Sequence, residues 1–306
     1  DSASKAFEML GVPEMQNKFL EPNPSSSLNG KLLETVATET DLAVSTPVSV
    51  GSLDVAAMTC GMGLEDIGDV FIILGTTAVV GVVIDPERFN GGTVGATVAH
   101  PYLDKWLRVL APLSGASALD WFTSMNSAIF TGVDAASVAE QLVSLASQAP
   151  PGSYGTVFLP FLNGERAPFV APNVKASFVD MTSTTTQADM ARAVMEGVAF
   201  SLRHCFASTG QPHLKRVFLT GGGAKNHFWC EMIANILGAT VVVSQESDHG
   251  TWGAAQLGAA AAGLLQQPSQ SNRTENLRSH KADPKVVQLY DQFYQSYEAH
   301  VKACTS

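Results

Sequence analysis

Residues 218–229 read FLTGGGAKNHFW, with glycines between a β-like run and a helix-like run. Glycine has no Cβ, so backbone there can approach a ligand closely and take positive φ. Exposed N–H groups at a strand-to-helix turn, aided by the helix N-terminus, make an anion or nucleotide site. GGGAKN fits that chemistry, but it is neither GxGxxG nor GxxxxGK[ST], so the dinucleotide and P-loop readings fail. A tight turn with close helix–strand packing is the alternative. A second junction, LGTT (74–77), joins two apolar runs, VFIILG and AVVGVVI. Gly75 suits a tight turn there, and the hydroxyls and N–H groups of Thr76 and Thr77 could hold phosphate oxygens. An ordinary hairpin turn, with Thr chosen as a β-former, explains the same residues. Third is Asp54, between the strand-like STPVSVGSL and the apolar VAAMTCGMG. A carboxylate there is placed to take a proton from an alcohol; a helix N-cap is the plainer reading. Together, a hydroxyl-activating carboxylate, a phosphate turn and a downstream glycine loop form a consistent set for phosphoryl transfer.

Positioning these groups requires strands that end at the turns. PVSVG (47–51) reads as a strand, VAAMTCGMG as a helix, and 70–75 with 78–84 as a hairpin. TVFLPFLNGERAPF (156–169) reads as a buried strand stopped by Pro160, then a loop. Thr186 with Asp189 opens a helix carrying Ala191, Val194, Val198 and Leu202 at helical spacing. VFLTGGG is a strand feeding the glycines, and Phe228, Met232, Ile233, Ile236 and Leu237 make the apolar face of the next helix. ATVVVS (239–244) is a strand, and 251–265 is a small-residue helix suited to close packing. Asp283 and Pro284 open a terminal helix with Val286, Tyr290, Phe293, Tyr297 and Val301 on one stripe. Short helices are expected over 4–11 and 31–43, and loops over 21–30 and 266–283. Strands alternating with helices after an early hairpin predict α/β architecture.

Composition sets bounds. The 306 residues suffice for a large core in one or two domains. A net charge of −10, with no Lys/Arg run, argues against non-specific nucleic-acid or anionic-membrane binding. The longest apolar stretch, 70–84, is broken by Gly and Thr and is too short to cross a bilayer. The 4 cysteines lie far apart without a CxxC, which favours reduced thiols and a cytoplasmic setting. The chain starts at Asp1 rather than Met, which suggests a processed product or fragment.

In order along the chain, these segments resemble the C-terminal half of the FGGY carbohydrate kinases, especially the xylulokinase and L-xylulose kinase branch. The resemblance rests on STPVSVGSLDVAAMTCGMGLEDIGDVFIILGTTAVV, TVFLPFLNGERAPF, MEGVAFSLRH and LTGGGAKNHFWCEMIANILGATV with the small-residue helix after it. It implies an actin-like ATPase (ASKHA, RNase H-like) fold with a mixed sheet flanked by helices. It implies ATP- and Mg²⁺-dependent phosphorylation of a sugar hydroxyl, with a ketopentose such as xylulose as the expected substrate. Carried over by position, Asp54 is the general base and Gly75, Thr76 and Thr77 the phosphate turn. Gly115 and Asp120 match a nucleotide-contacting segment, where Asp120 replaces other polar residues. Gly222, Gly223 and Asn226 match the adenosine loop. Arg166 matches a recurrent family residue, read as a strut for its loop with ligand binding as the alternative. Family members open with a further domain bearing a DxGT hairpin, and nothing like DxGT occurs near Asp1. Residues 1–66 then become the tail of a sugar-binding domain and 67–306 the ATP-binding domain, with the missing N-terminal domain as a partner. The chain alone should be poorly active. Homodimers are common among relatives. The competing reading is a non-catalytic nucleotide-binding module of the same fold.

Overall fold

In the computed structural model, the described residues are 7–18, 23–89, 92, 94–126, 135–211, 214, 216–244, 248–268 and 277–305. The helix expected over 4–11 falls partly outside them. A short antiparallel pair, β1 (Leu28–Lys31) with β2 (Pro47–Ser49), encloses α1 (Glu34–Thr40). Then come α2 (Asp54–Met62), β3 (Asp69–Leu74), β4 (Ala78–Ile84), β5 (Ala96–Ala99), β6 (Trp106–Leu110), α3 (Ser117–Asn126) and α4 (Ala135–Ala146). A second antiparallel pair follows, β7 (Val157–Leu159) with β8 (Ser177–Val179), and then α5 (Gln187–Ala207). The chain continues through β9 (Arg216–Thr220), α6 (His227–Leu237), β10 (Val241–Ser244), α7 (His249–Ala261), β11 (Leu277–His280) and α8 (Pro284–Thr305).

The main sheet has 7 strands in the order β11-β10-β9-β3-β4-β6-β5. β3 runs parallel to β9, and β9 to β10, while the remaining neighbours are antiparallel. The mixed sheet flanked by helices is the architecture expected from the sequence. Period-two alternation divides the strands between two cores. Val70, Ile72, Leu74, Val217, Leu219 and Val241 face the larger core, which α5, α6 and α8 complete. Phe71, Val83, Leu107 and Phe218 face a smaller one with Ala56, Met62 and Leu64. The capping box at Thr186 and Asp189 forms as read. Two loops expected from sequence instead contain strand residues: β1 begins at Leu28 within 21–30, and β11 lies within 266–283. Both are short and polar, and each is held as a strand by pairing with a neighbour rather than by its own apolar pattern.

Two features fix the frame. At the start of β3 the fully buried Asp69 carboxylate accepts from Arg216 Nε and Nη2 at 3.0 and 2.5 Å, and from the Glu65 and Asp66 amides. Asp69 and Arg216 also face each other in the β3–β9 register, so the two strands are locked at one end and reach the other end level. On the smaller-core side, α2 and α7 cross at glycines. A Cβ on Gly253 would sit 1.7 Å from the Ala57 carbonyl oxygen, and one on Gly61 would sit 2.1 Å from that of His249.

Backbone against backbone cannot yield as a flexible side chain can. Gly253→Ala should therefore destabilise the protein by about 2 kcal/mol or more, lowering the thermal midpoint by several degrees. Gly258→Ala, in the same helix with open space around the added methyl, should instead raise stability by about 0.5–1 kcal/mol. Thermal denaturation of the two variants checks the opposite signs.

Candidate functional site

β3 and β9 end side by side, with Ile73 opposite Thr220, and each strand then runs into one of the two turns read from sequence. Gly221 has φ +96, and a Cβ there would lie 2.6 Å from the Leu74 carbonyl oxygen. A Cβ on Gly223 would run into the Leu74 side chain. These two glycines let the second turn press against the strand that carries the first. Gly222 differs: nothing lies within 4 Å of where its Cβ would be. Its missing side chain leaves room for something outside the chain.

Around that opening is a cavity of about 700 Å³. Ile73, Met58 and Val243 give it apolar walls, while Thr220 at the end of β9, Lys225 in the turn after it and Arg278 on β11 supply polar groups. Met58 lies on α2 four residues after Asp54, one helical turn further along the same face. Asp54 is thus roughly 6 Å along the helix axis from a cavity wall. It is exposed at the first helical position, and its Oδ1 accepts from the Val55 amide at 2.8 Å. The N-cap is Leu53, which makes no side-chain cap bond, so Asp54 does not serve as the cap of this helix.

The first turn is braced from behind. Ala116 and Ser117 at the start of α3 donate their amides to the carbonyls of Gly75 (2.7 Å) and Thr76 (3.2 Å). Gly115 makes that approach feasible, because a Cβ there would lie 2.6 Å from the Thr76 carbonyl oxygen. Gly75, Thr76, Thr77 and Gly115 therefore meet, and the Thr76 and Thr77 side chains face solvent. Asp120 is exposed in the first turn of α3. Asn226 caps α6, its side-chain oxygen accepting from the Trp229 amide at 2.9 Å. The Ala224 carbonyl is pinned by the Cys230 thiol at 3.2 Å, and burial pushes that thiol's pKa up to about 11.

Two residues that reasoning from sequence did not single out complete the arrangement. Glu165, 1% exposed, accepts from the Leu113 amide (2.7 Å), the Arg166 amide (2.8 Å) and the Ala167 amide (3.3 Å). Its other oxygen lies 3.0 Å from the Ser114 hydroxyl. It sits beside Arg166 in GERAP, where a carboxylate next to an arginine in a loop reads as surface. Arg166 is itself exposed, and its Nε donates to the Ala111 carbonyl at 2.5 Å, which is the strut reading in atomic terms. Both side chains of the 165–166 pair grip the segment that carries Gly115. Arg278 was hidden because β11 reads as loop. Its guanidinium donates to His227 Nε2 at 2.6 Å, and the His227 ring lies edge-on to His280 at 5.7 Å. Burial lowers the pKa of His280 from its ordinary value.

Among the described residues, no group of three or more His, Cys, Asp or Glu could hold a metal ion. None of their helices is long and apolar enough to cross a membrane.

Residues 70–262 match the FGGY family of carbohydrate kinases, C-terminal domain. The xylulose kinase of Escherichia coli (strain K12) is 32% identical over 240 residues, covering 78% of this chain and 48% of that protein. The gluconokinase of Bacillus subtilis (strain 168) is 26% identical over 276 residues, covering 87% of this chain and 52% of its own length. The chain thus spans about half the length of the curated relatives it matches. Among solved structures, a ligand-bound xylulose kinase from Lactobacillus acidophilus superposes with a TM-score of 0.84 at 23% identity, over 98% of this chain and 60% of that one.

Removing the Glu165 carboxylate leaves the Leu113, Arg166 and Ala167 amides without that acceptor. Glu165→Ala should cost about 2–4 kcal/mol of stability, whereas Arg166→Ala at its exposed position should cost less than about 1 kcal/mol. Denaturant titration of the two variants measures the contrast.

Proposed function

The chain belongs to the FGGY family of carbohydrate kinases, and on that footing we propose that it is the ATP-binding part of a kinase that phosphorylates a sugar hydroxyl. One observation carries the reading: two glycine turns, at the ends of adjacent parallel strands, touch each other beside a cavity that the missing side chain of Gly222 opens. The carbonyls of Gly75 and Thr76 are turned back onto α3, which leaves the exposed Thr76 and Thr77 to face phosphate oxygens. In this reading Gly222 and Gly223 hold the nucleoside side, and Asn226 supports it by capping α6. Asp120 is exposed on the helix that braces the phosphate turn.

When bound, ATP supplies the γ-phosphoryl group. Mg²⁺, which commonly keeps several waters and rides on phosphate oxygens, needs few protein ligands here. The protein's share is placement and charge. Asp54 accepts the proton of the attacking hydroxyl through Oδ2, its Oδ1 being occupied by the Val55 amide. Relatives named xylulose kinase and gluconokinase support a polyhydroxy acceptor, and a ketopentose such as xylulose is our choice.

Residues 1–66 belong in this account to a sugar-binding domain, and 67–306 to the ATP-binding domain. Leu28, Leu33, Leu42, Val44, Val48 and Leu53 all stand exposed in the segment that runs from β1 through α1 and β2 to the start of α2. Exposed apolar side chains gathered in one segment suit cover by further polypeptide, here the rest of the sugar-binding domain. Closing the cleft between the domains would exclude water from the transfer.

ADP titration by calorimetry tests the nucleotide site. Gly222→Val fits the fold but fills the ligand's space, so it should lose at least about tenfold in affinity with the thermal midpoint unchanged, a change equivalent to about 1.4 kcal/mol of binding. Unchanged affinity in that variant contradicts the site. With a sugar-kinase N-terminal half supplied in trans, Asp54→Asn should lower xylulose-dependent turnover by about 10²–10⁴-fold while ADP still binds. Unaltered turnover removes Asp54 from the chemistry.

A further inference from the structure

Arg278 lies on β11, beyond the residues 70–262 that match the family. Yet its side chain lines the same cavity as the glycine turn. Register fixes how far it is from the phosphate turn. Arg278 pairs with Val243, Val243 with Leu219, and Leu219 with Ile72. That row crosses three strand spacings, about 14 Å, and Gly75 lies three residues, about 10 Å, further along β3, so the backbone separation is about 17 Å. A ligand whose phosphates sit at Gly75–Thr77 therefore meets Arg278 with its opposite end. The span is comparable to an extended nucleoside polyphosphate.

The side chain is also prepared for a planar partner. His227 Nε2 accepts from Nη1 at 2.6 Å, and the His227 ring is in turn packed edge-on by His280. His227 itself lines the cavity. A guanidinium so held has lost much of its rotamer freedom before any ligand arrives, which lowers the ordering cost of binding. Its flat face suits stacking on an aromatic ring, and its donors suit acceptor atoms on a base edge.

We propose that Arg278, oriented by His227, is a nucleotide-binding residue that stacks on the base and contributes to recognition of a purine. This rests on the nucleotide reading of the cavity. It differs from a phosphate clamp, the role a basic residue near a nucleotide would ordinarily be given. A contact at the base end helps a nucleoside as much as a nucleotide. A contact at the phosphate end helps only the nucleotide.

Affinities of ADP and of adenosine, measured by calorimetry for wild type, Arg278→Gln, Arg278→Lys and His227→Gln, decide it. Arg278→Gln should weaken both ligands by a similar factor, about tenfold. Arg278→Lys should fail to restore them, because an ammonium lacks the planar face. His227→Gln should give a smaller loss of the same pattern. Thermal midpoints near the wild-type value would show that the edge strand still forms. Should Arg278→Gln unfold the chain, His227→Gln carries the same comparison by itself, and equal wild-type-like affinities there overturn the proposal. Loss for ADP with adenosine unaffected overturns it in favour of a phosphate contact. Unchanged affinity for both in Arg278→Gln overturns it while leaving the nucleotide site intact. Failure of the wild-type chain to bind ADP overturns the nucleotide reading and this inference with it.

Discussion

Gly221 lies so close to the backbone of Leu74 that no side chain fits between them. The site depends on that contact. Parallel neighbours β3 and β9 bring their ends level, but two separate turns would make two weak features. Pressed together, they form one surface with exposed threonines on one part and an unfilled glycine position on the other. The requirement is steric, and it holds whether or not a ligand is present. Positive φ at Gly221 adds a second, independent reason for glycine there.

The rest of the structure serves to hold that contact in place. At the opposite end of the same strands, the buried Asp69 carboxylate and the Arg216 guanidinium prevent β3 and β9 from slipping past each other. Breaking such a pair would leave a buried charge uncompensated. From behind, Glu165 holds Leu113 and Ser114, and through them Gly115 and the amides that grip the first turn. From the smaller-core side, the glycine crossing of α2 and α7 sets where Asp54 stands relative to the sheet. Each support acts through backbone or a buried charge, the least adjustable contacts a protein has. A carboxylate and a turn proposed to act in one reaction need supports of that kind.

Most of the strands around the site could be read from the sequence, because β3, β4, β9 and β10 are apolar runs, and β3 and β9 lead straight into glycine turns. The larger helices were legible from the spacing of Ala191, Val194 and Val198 and from the cap at Thr186. The edges of the sheet were not. β11 reads LRSH, with no apolar period, and it exists because β10 offers it an antiparallel partner. Arg278 was invisible for that reason. β5 and β6 and the helix over 135–146 are likewise not legible in the sequence. Asn226 shows a different limit. An asparagine after glycines suits both ligand contact and helix capping, and only coordinates reveal the bond from Trp229. Glu165 shows a third: a carboxylate flanked by an arginine in a loop looks like surface, whereas it is buried and accepts from the amides around it.

The central claim is that the two turns form a single nucleotide site. Amide hydrogen exchange across the 306-residue chain, with and without saturating ADP, tests it most directly. The account predicts slowed exchange at 75–77 and 221–225 together, with both segments following the same ADP concentration dependence. Protection of one turn without the other, or protection confined to a distant surface such as the cavity beside Arg203 and Gly238, would contradict it.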